Sequence, residues 1–176
     1  SGGITITGTL YANDGLTALG AGATITAAVG TSTPSLHSTT TESDGSYTIT
    51  DISSTNLGTS TPVTLFVDGG SVDATTLTYL ASDSGSVENI HLVAETVTAA
   101  SADSLAELEL ARFAFYDSSD DSDILFTATT TAATTTGNFS VAAVDTLVGD
   151  GTASSTVKIS DNENGGPTGL DSFDYF

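Results

Sequence analysis

Ile4, Ile6, Gly8 and Leu10 stand on one parity of the sequence, and Thr5, Thr7 and Thr9 stand on the other. A period of two is the repeat of a strand with one buried face, and a helix of period 3.6 does not hold such residues on one side. The alternation returns at Ala23, Ile25, Ala27 and Val29, at Leu36 to Thr41, at Tyr47 and Ile49, at Val63, Leu65 and Val67, at Leu77 and Tyr79, and at Ile90 and Leu92. Turn residues close these runs: Asn13-Asp14-Gly15, Gly30, Glu42-Ser43-Asp44-Gly45, and Asp68-Gly69-Gly70. Asp and Asn bond their own backbone in turns, and Gly supplies the positive backbone dihedral that tight turns need. About seven short strands at this spacing predict a β-sandwich over the first half of the chain.

The second half carries the same signal less regularly. Residues 107–116 fit a strand with a one-residue slip, because Phe113, Phe115 and Tyr116 are strand-favouring. Leu105, Leu108 and Ala111 or Arg112 behind Ser101 or Asp103 also match helical spacing, so a short helix is the competing reading. Ile124, Phe126 and Ala128 begin a strand that runs into a Thr/Ala tract ending at Thr136. Gly137-Asn138 reads as a turn, Phe139 to Ala143 as a strand, and Val157 with Ile159 as another. The expectation is an all-β chain: a sandwich over residues 1–98, and over 99–176 either a second β-rich domain or an extension of the first sheets. The aromatic tail Phe173, Tyr175 and Phe176 is expected to dock, since termini stay ordered only when tied down.

Charge excludes several functions. There are 22 acidic residues against Arg112 and Lys158, a formal net charge of −20. Nucleic acid and anionic lipid would be repelled, whereas cations and basic partners would be attracted. The chain has no Cys, so disulfides and thiolate metal sites are impossible. No apolar run approaches the ~18 residues of a membrane span. Absence of Met and a first residue Ser read as a processed or excised product, and the Ser/Thr-rich, Lys-poor composition suits a secreted or cell-surface protein.

Candidate chemistry is sparse. Asp117, Asp120, Asp121 and Asp123 put hard oxygen donors within one short loop, and calcium takes six to eight such oxygens. A solvated acidic loop is the plainer reading, because the helix-loop-helix spacing of Gly and Glu is missing. Asp161, Asn162, Glu163 and Asn164 form a weaker cluster of the same kind. His37 and His91 are the only histidines, with His91 on the parity opposite Ile90 and Leu92, as for an exposed strand residue. No spacing suggests a triad or a carboxylate pair, so a non-enzyme is expected. Gly149-Asp150-Gly151 lacks the Lys-Ser/Thr of a phosphate loop and reads as a turn. Asn138-Phe139-Ser140 is an N-glycosylation sequon, so glycans are expected partners at Asn138.

Three local patterns carry a resemblance: Ile6, Gly8, Leu10 and Tyr11; then Gly20-Ala21-Gly22-Ala23-Thr24-Ile25; then Thr41, Asp44, Gly45, Tyr47 and Ile49. With Val63 to Gly69 and the strand near residue 90, residues 3–98 resemble transthyretin-like sandwiches, which include carboxypeptidase regulatory-like and collagen-adhesin B-type repeats of bacterial surface proteins. The resemblance implies a transthyretin-like or Ig-like sandwich used as a stalk, spacer, filament or adhesin subunit. Relatives with a Lys–Asn isopeptide crosslink are not matched, since the first half has no Lys. The expected function is therefore a subunit of a surface filament or pilus, a homopolymer joined by strand complementation. Ile4, Ile6 and Leu10 would be the core of the donor strand, and Phe173 to Phe176 a second choice. An adhesin, a carbohydrate-binding module, or a spacer in a longer protein is the alternative.

Overall fold

The computed structural model describes residues 3–30, 32–53, 61–80, 85–100, 107–130, 137–141, 146–149 and 156–158. Its strands are β1 (Ile4–Tyr11), β2 (Thr24–Val29), β3 (Ser35–Thr40), β4 (Ser46–Ile52), β5 (Thr61–Val67), β6 (Thr75–Leu80), β7 (Ser86–Val87), β8 (Leu92–Val93) and β9 (Thr96–Ala99). They continue as β10 (Glu107–Glu109), β11 (Phe126–Thr130), β12 (Gly137–Val141), β13 (Thr146–Gly149) and β14 (Thr156–Lys158). The chain is all-β, as its alternation predicts.

Two sheets form the sandwich. In the smaller one β1 is central, antiparallel to β4 on one side and parallel to β7 and β8 on the other. The larger sheet runs β13-β9-β6-β5-β2-β3. Strands β2, β3, β5 and β6 pair antiparallel, and β9 lies parallel to both β6 and β13. The path from β6 to β9 crosses to the small sheet, where it lays down β7 and β8, and then returns. The remaining pairs are β10 with β14 and β11 with β12.

In the larger sheet β5, β6 and β9 are buried at every position, so both faces of its middle are covered. Ile25, Ala27, Val29, Val63, Leu65 and Val67 face Ile4, Ile6, Leu10, Tyr47, Ile49 and Ile52 of the small sheet. Phe66, Leu77, Tyr79, Val97 and Ala99 point to the other face and pack with Phe113, Ile124, Phe126 and Ala128. This second cluster joins residues from both sides of position 98, with Phe113, Ile124, Phe126 and Ala128 covering that face of the larger sheet. The covering segment corrects the strand expected over 107–116. Pairing stops at Glu109 and a 3-10 turn, Leu110–Phe113, follows. That turn seats the Phe113 ring parallel to Tyr79, with centroids 5.6 Å apart. Arg112 lies over the Tyr79 ring at 4.9 Å from its centroid.

Two-sided burial places threonines in the interior, where a hydroxyl needs a partner. Thr76 on β6 donates to the His91 carbonyl oxygen at 2.6 Å. Its neighbours Thr78 and Thr98 are buried with hydroxyls that have no hydrogen-bond partner among the described residues. Valine keeps their shape and removes the polar atom. Thr98→Val is expected to raise stability by about 1 kcal/mol; an equal fall in a denaturant titration would show that this hydroxyl is bonded in solution.

Candidate functional site

The expected donor strand is wholly embedded. Ile4, Ile6, Gly8 and Leu10 are buried while the alternate threonines are half-exposed. Pairing with β4 runs from Ile4↔Ile52 to Thr9↔Ser46, with a register shift between Ile4 and Ile6. Opposite, Thr5 and Ile6 pair with β7, and Leu10 and Tyr11 with β8. Between those two short contacts Ile90 donates its N–H to the Thr7 carbonyl at 3.0 Å. β1 makes no pair with β2, its neighbour in sequence, and residues 12–23 carry the chain across to the other sheet. The slot that holds β1 is thus built by β4, β7 and β8, and its far end is closed by the following loop, where Leu19 donates to the Leu10 carbonyl at 2.8 Å and Ala18 bridges Tyr11.

Gly8 marks the tightest point of the slot. A Cβ there would overlap the Ile90 carbonyl oxygen and stand 2.8 Å from Cε1 of Tyr47. Tyr47 is the cross-strand partner of Gly8, so its ring covers the face that glycine leaves bare. Its hydroxyl donates to the Ile90 carbonyl, tying β4 across β1 to the segment before β8. Burial pushes the Tyr47 hydroxyl far above its ordinary value of 10.0. The neutral ring is therefore the folded form. The associated stability is complete below about pH 10 and is lost as pH rises, because the unfolded chain releases that proton first. Steepened alkaline unfolding above about pH 10 is expected. Tyr47→Phe should remove that steepening and cost about 1 kcal/mol at neutral pH for the lost hydrogen bond, as read by urea titrations at pH 7 and 10.5.

Each residue of the Thr41 to Ile49 pattern has a physical task in this lock. Buried Thr41 donates to the Gly20 carbonyl at 2.8 Å and accepts from the Ala23 N–H at 3.0 Å, fastening the residues that lead into β2. Asp44 accepts from the Ser46 hydroxyl at 2.6 Å and N–H at 3.0 Å. Those two bonds, in that order, hold its carboxyl below the usual range. Gly45 has φ 78°, and a Cβ there would overlap the Leu19 carbonyl oxygen. Its own carbonyl accepts from the Leu10 N–H at 2.9 Å, so the turn caps the end of β1. Ile49 is a core residue.

The acidic loop is organised by its own backbone. Asp117, 2% exposed, accepts from the Ser119 hydroxyl at 2.6 Å, the Ser119 N–H at 2.8 Å and the Ala128 N–H at 2.7 Å. Asp120 accepts from the Asp117 N–H at 3.1 Å and Asp121 from the Asp123 N–H at 3.0 Å. Asp123 accepts from the Gly69 N–H, which fastens the loop to the turn between β5 and β6. Carboxylates that the sequence pattern did not connect gather here. The Asp73 carboxyl is raised by desolvation first and then by the charges of Asp123 and Glu95. The Tyr116 hydroxyl is raised by desolvation and then by Asp121, Asp120 and Asp68. Among the described residues no group of three or more His, Asp or Glu side chains is placed to hold a metal ion.

His91, expected as an exposed strand residue, is instead half-buried. Its Nδ1 accepts from the Thr9 N–H at 3.1 Å, and its ring meets Tyr11 edge-on at 5.4 Å. His37 lies on β3, with Nε2 3.1 Å from the Ser35 hydroxyl. His37 thus lies on an edge strand of the larger sheet, and His91 just before β8, beside β1. Gly137 and Asn138, expected to turn the chain, are paired residues of β12, with Asn138 opposite Thr129. The Asp161 to Asn164 cluster and the aromatic tail lie outside the described residues. Among the described residues no helix is long and apolar enough to cross a membrane. No family model matches this sequence, and no curated protein or solved structure matches it either.

Proposed function

We propose that this chain is an extracellular structural subunit of a surface filament, built on a transthyretin-like sandwich and assembled by exchange of β1 between copies. The slot around β1 carries the reading. β1 takes no pairing from β2, and its ladders run to β4, β7 and β8, with residues 17–19 bonded to its far end. A copy of β1 from a neighbour would bring the same Ile4, Ile6 and Leu10 to the same partners, with residues 12–23 as the connection. An exchanged strand keeps its ladders to β4, β7 and β8, while the bonds that residues 17–19 make with Leu10 and Ala12, and that Gly20, Gly22 and Ala23 make with Thr41, are those at stake when the connection opens.

The net charge of −20 opposes any such assembly. Screening weakens the opposition, since the Debye length contracts from about 30 Å at 0.01 M salt to about 8 Å at 0.15 M. Calcium bound near the acidic loop would act in the same sense with greater strength at lower concentration. Electron microscopy of the chain at both salt concentrations, with calcium or with a chelator, tests the proposal. Filaments whose axial repeat matches one sandwich, more abundant at the higher salt, are expected. Dispersed single copies under all four conditions would overturn it, and glycan-array binding by those single copies would support the adhesin alternative.

A further inference from the structure

The segment that flanks β1 opposite β4 is one residue longer than the stretch it lies beside. Thr5 and Ile6 pair with Ser86 and Val87, and Leu10 and Tyr11 pair with Leu92 and Val93, so residues 88–91 run alongside residues 7–9. The surplus is taken up at Asn89, which has φ 62°. Just after it Ile90 donates to the Thr7 carbonyl at 3.0 Å, and an even parallel ladder would return the Ile90 carbonyl to the Thr9 N–H. That carbonyl is bonded instead by the Tyr47 hydroxyl, beside the face that Gly8 leaves bare. Thr9 donates its N–H to Nδ1 of half-buried His91 at 3.1 Å, so an imidazole nitrogen stands in for a ladder carbonyl. The ring meets Tyr11 edge-on at 5.4 Å, and the His91 carbonyl accepts from the Thr76 hydroxyl of β6 at 2.6 Å.

A carbonyl accepts at any working pH, and an imidazole does not. Protonation puts a hydrogen on Nδ1, and imidazolium has two donors and no acceptor. We propose that His91 is a proton-operated latch on β1: unprotonated, it completes the contact between the Thr7 and Leu10 pairings, and protonated, it releases the Thr9 to Tyr11 end of β1 from the segment leading into β8. The titratable groups on the elements around it are Tyr11 on β1, Tyr47 and Asp51 on β4, Tyr79 on β6, Asp44 in the turn that bonds Leu10, and Glu88 and Glu95 on its own segment. Asp51 lies beside Ile52, at the far end of β1, and Asp44 is bonded by Ser46. Glu88 accepts from the Ser86 hydroxyl at 3.3 Å, and the Glu95 charge acts on Asp73. Of this set only an imidazole has its ordinary titration between about pH 7.5 and 5. The bond needs an unprotonated Nδ1, so its contribution is whole above about pH 6.5 and is lost as pH falls. The latch acts within one copy and stands whether or not β1 is exchanged.

Amide hydrogen exchange of the full chain, read by NMR at about pH 7.5 and about pH 5 and corrected for intrinsic rates, tests it. Opening frees the imidazole to titrate near 6.5, which multiplies the open population by about 30 at pH 5. Thr9 is expected to lose at least about tenfold in protection between the two conditions, relative to Val63, Leu65 and Val67 of β5. His91→Asn places an amide oxygen where Nδ1 stands, an acceptor that does not titrate, and should hold Thr9 protection level. His91→Phe keeps a ring without an acceptor and should leave Thr9 weakly protected at both values. At about pH 7.5 the parent imidazole should carry its proton on Nε2 and none on Nδ1. Thr9 protection that ignores pH, a fall shared equally by β5, the same fall in His91→Asn, or a proton on Nδ1 in the neutral ring would each overturn the inference.

Discussion

Gly8→Ala is expected to abolish folding or to cost more than about 4 kcal/mol, an effect seldom reached by adding one methyl group. Overpacking in a yielding core costs about 1–3 kcal/mol because side chains can rotate away. At Gly8 the obstacles are the Ile90 carbonyl oxygen and carbonyl carbon, which are backbone, and the Tyr47 ring, whose hydroxyl is anchored to that same carbonyl. Relief would require β1 to separate from the segment preceding β8, breaking the Ile90 to Thr7 hydrogen bond and the pairs at Leu10 and Tyr11. Circular dichroism with a urea titration reads the result directly. A Gly8→Ala chain within about 1 kcal/mol of the parent would show that the slot is looser than described.

Phe113→Ala is the second large effect, expected at about 3–5 kcal/mol for removal of a buried aromatic side chain. Phe113 is fully buried and stacks on Tyr79, which β6 presents on the outer face of the larger sheet. Its removal leaves a void against the Tyr79 ring, in the cluster that also holds Phe66 and Leu77. The loss should appear as a single unfolding transition at lower urea, because the second cluster shares its residues between the larger sheet and the covering layer. Two separated transitions, with the first half unaffected, would instead mark the region after residue 98 as an independent domain.

What the sequence made legible was local. The alternation of β1 and the turn of the Thr41 to Ile49 pattern are read correctly because period two and the Asp44-Gly45 turn act locally, whereas the bonds of Thr41 to Gly20 and Ala23 and of Tyr47 to Ile90 are made only by the fold. β7, β9 and β13 were not anticipated. Thr96–Ala99 is buried at every position, yet half of it is threonine, so a strand covered on both faces shows no apolar parity. Ser86–Val87 and Leu92–Val93 are two-residue contacts defined only by the β1 that they flank. Spacing alone could not choose between strand and helix around Leu110, because the deciding contact is Tyr79, far away in sequence. In the acidic loop the residues were legible and their partners were not: Asp117 and Asp123 bind the backbone of Ala128 and Gly69, which only the folded sheets bring near.

The exchange of β1 is tested most directly by mixing two single-cysteine chains, one with Thr7→Cys and one with Thr48→Cys and a size tag. The parent has no cysteine, so any disulfide reports a pairing of these positions. After joint refolding in assembly salt and mild oxidation, the account predicts a disulfide between tagged and untagged chains, because Thr7 of one copy lies opposite Thr48 of the next. If the mixed disulfide is absent while the doubly substituted chain still closes its own Thr7–Thr48 bond, β1 stays at home and exchange is not how copies join.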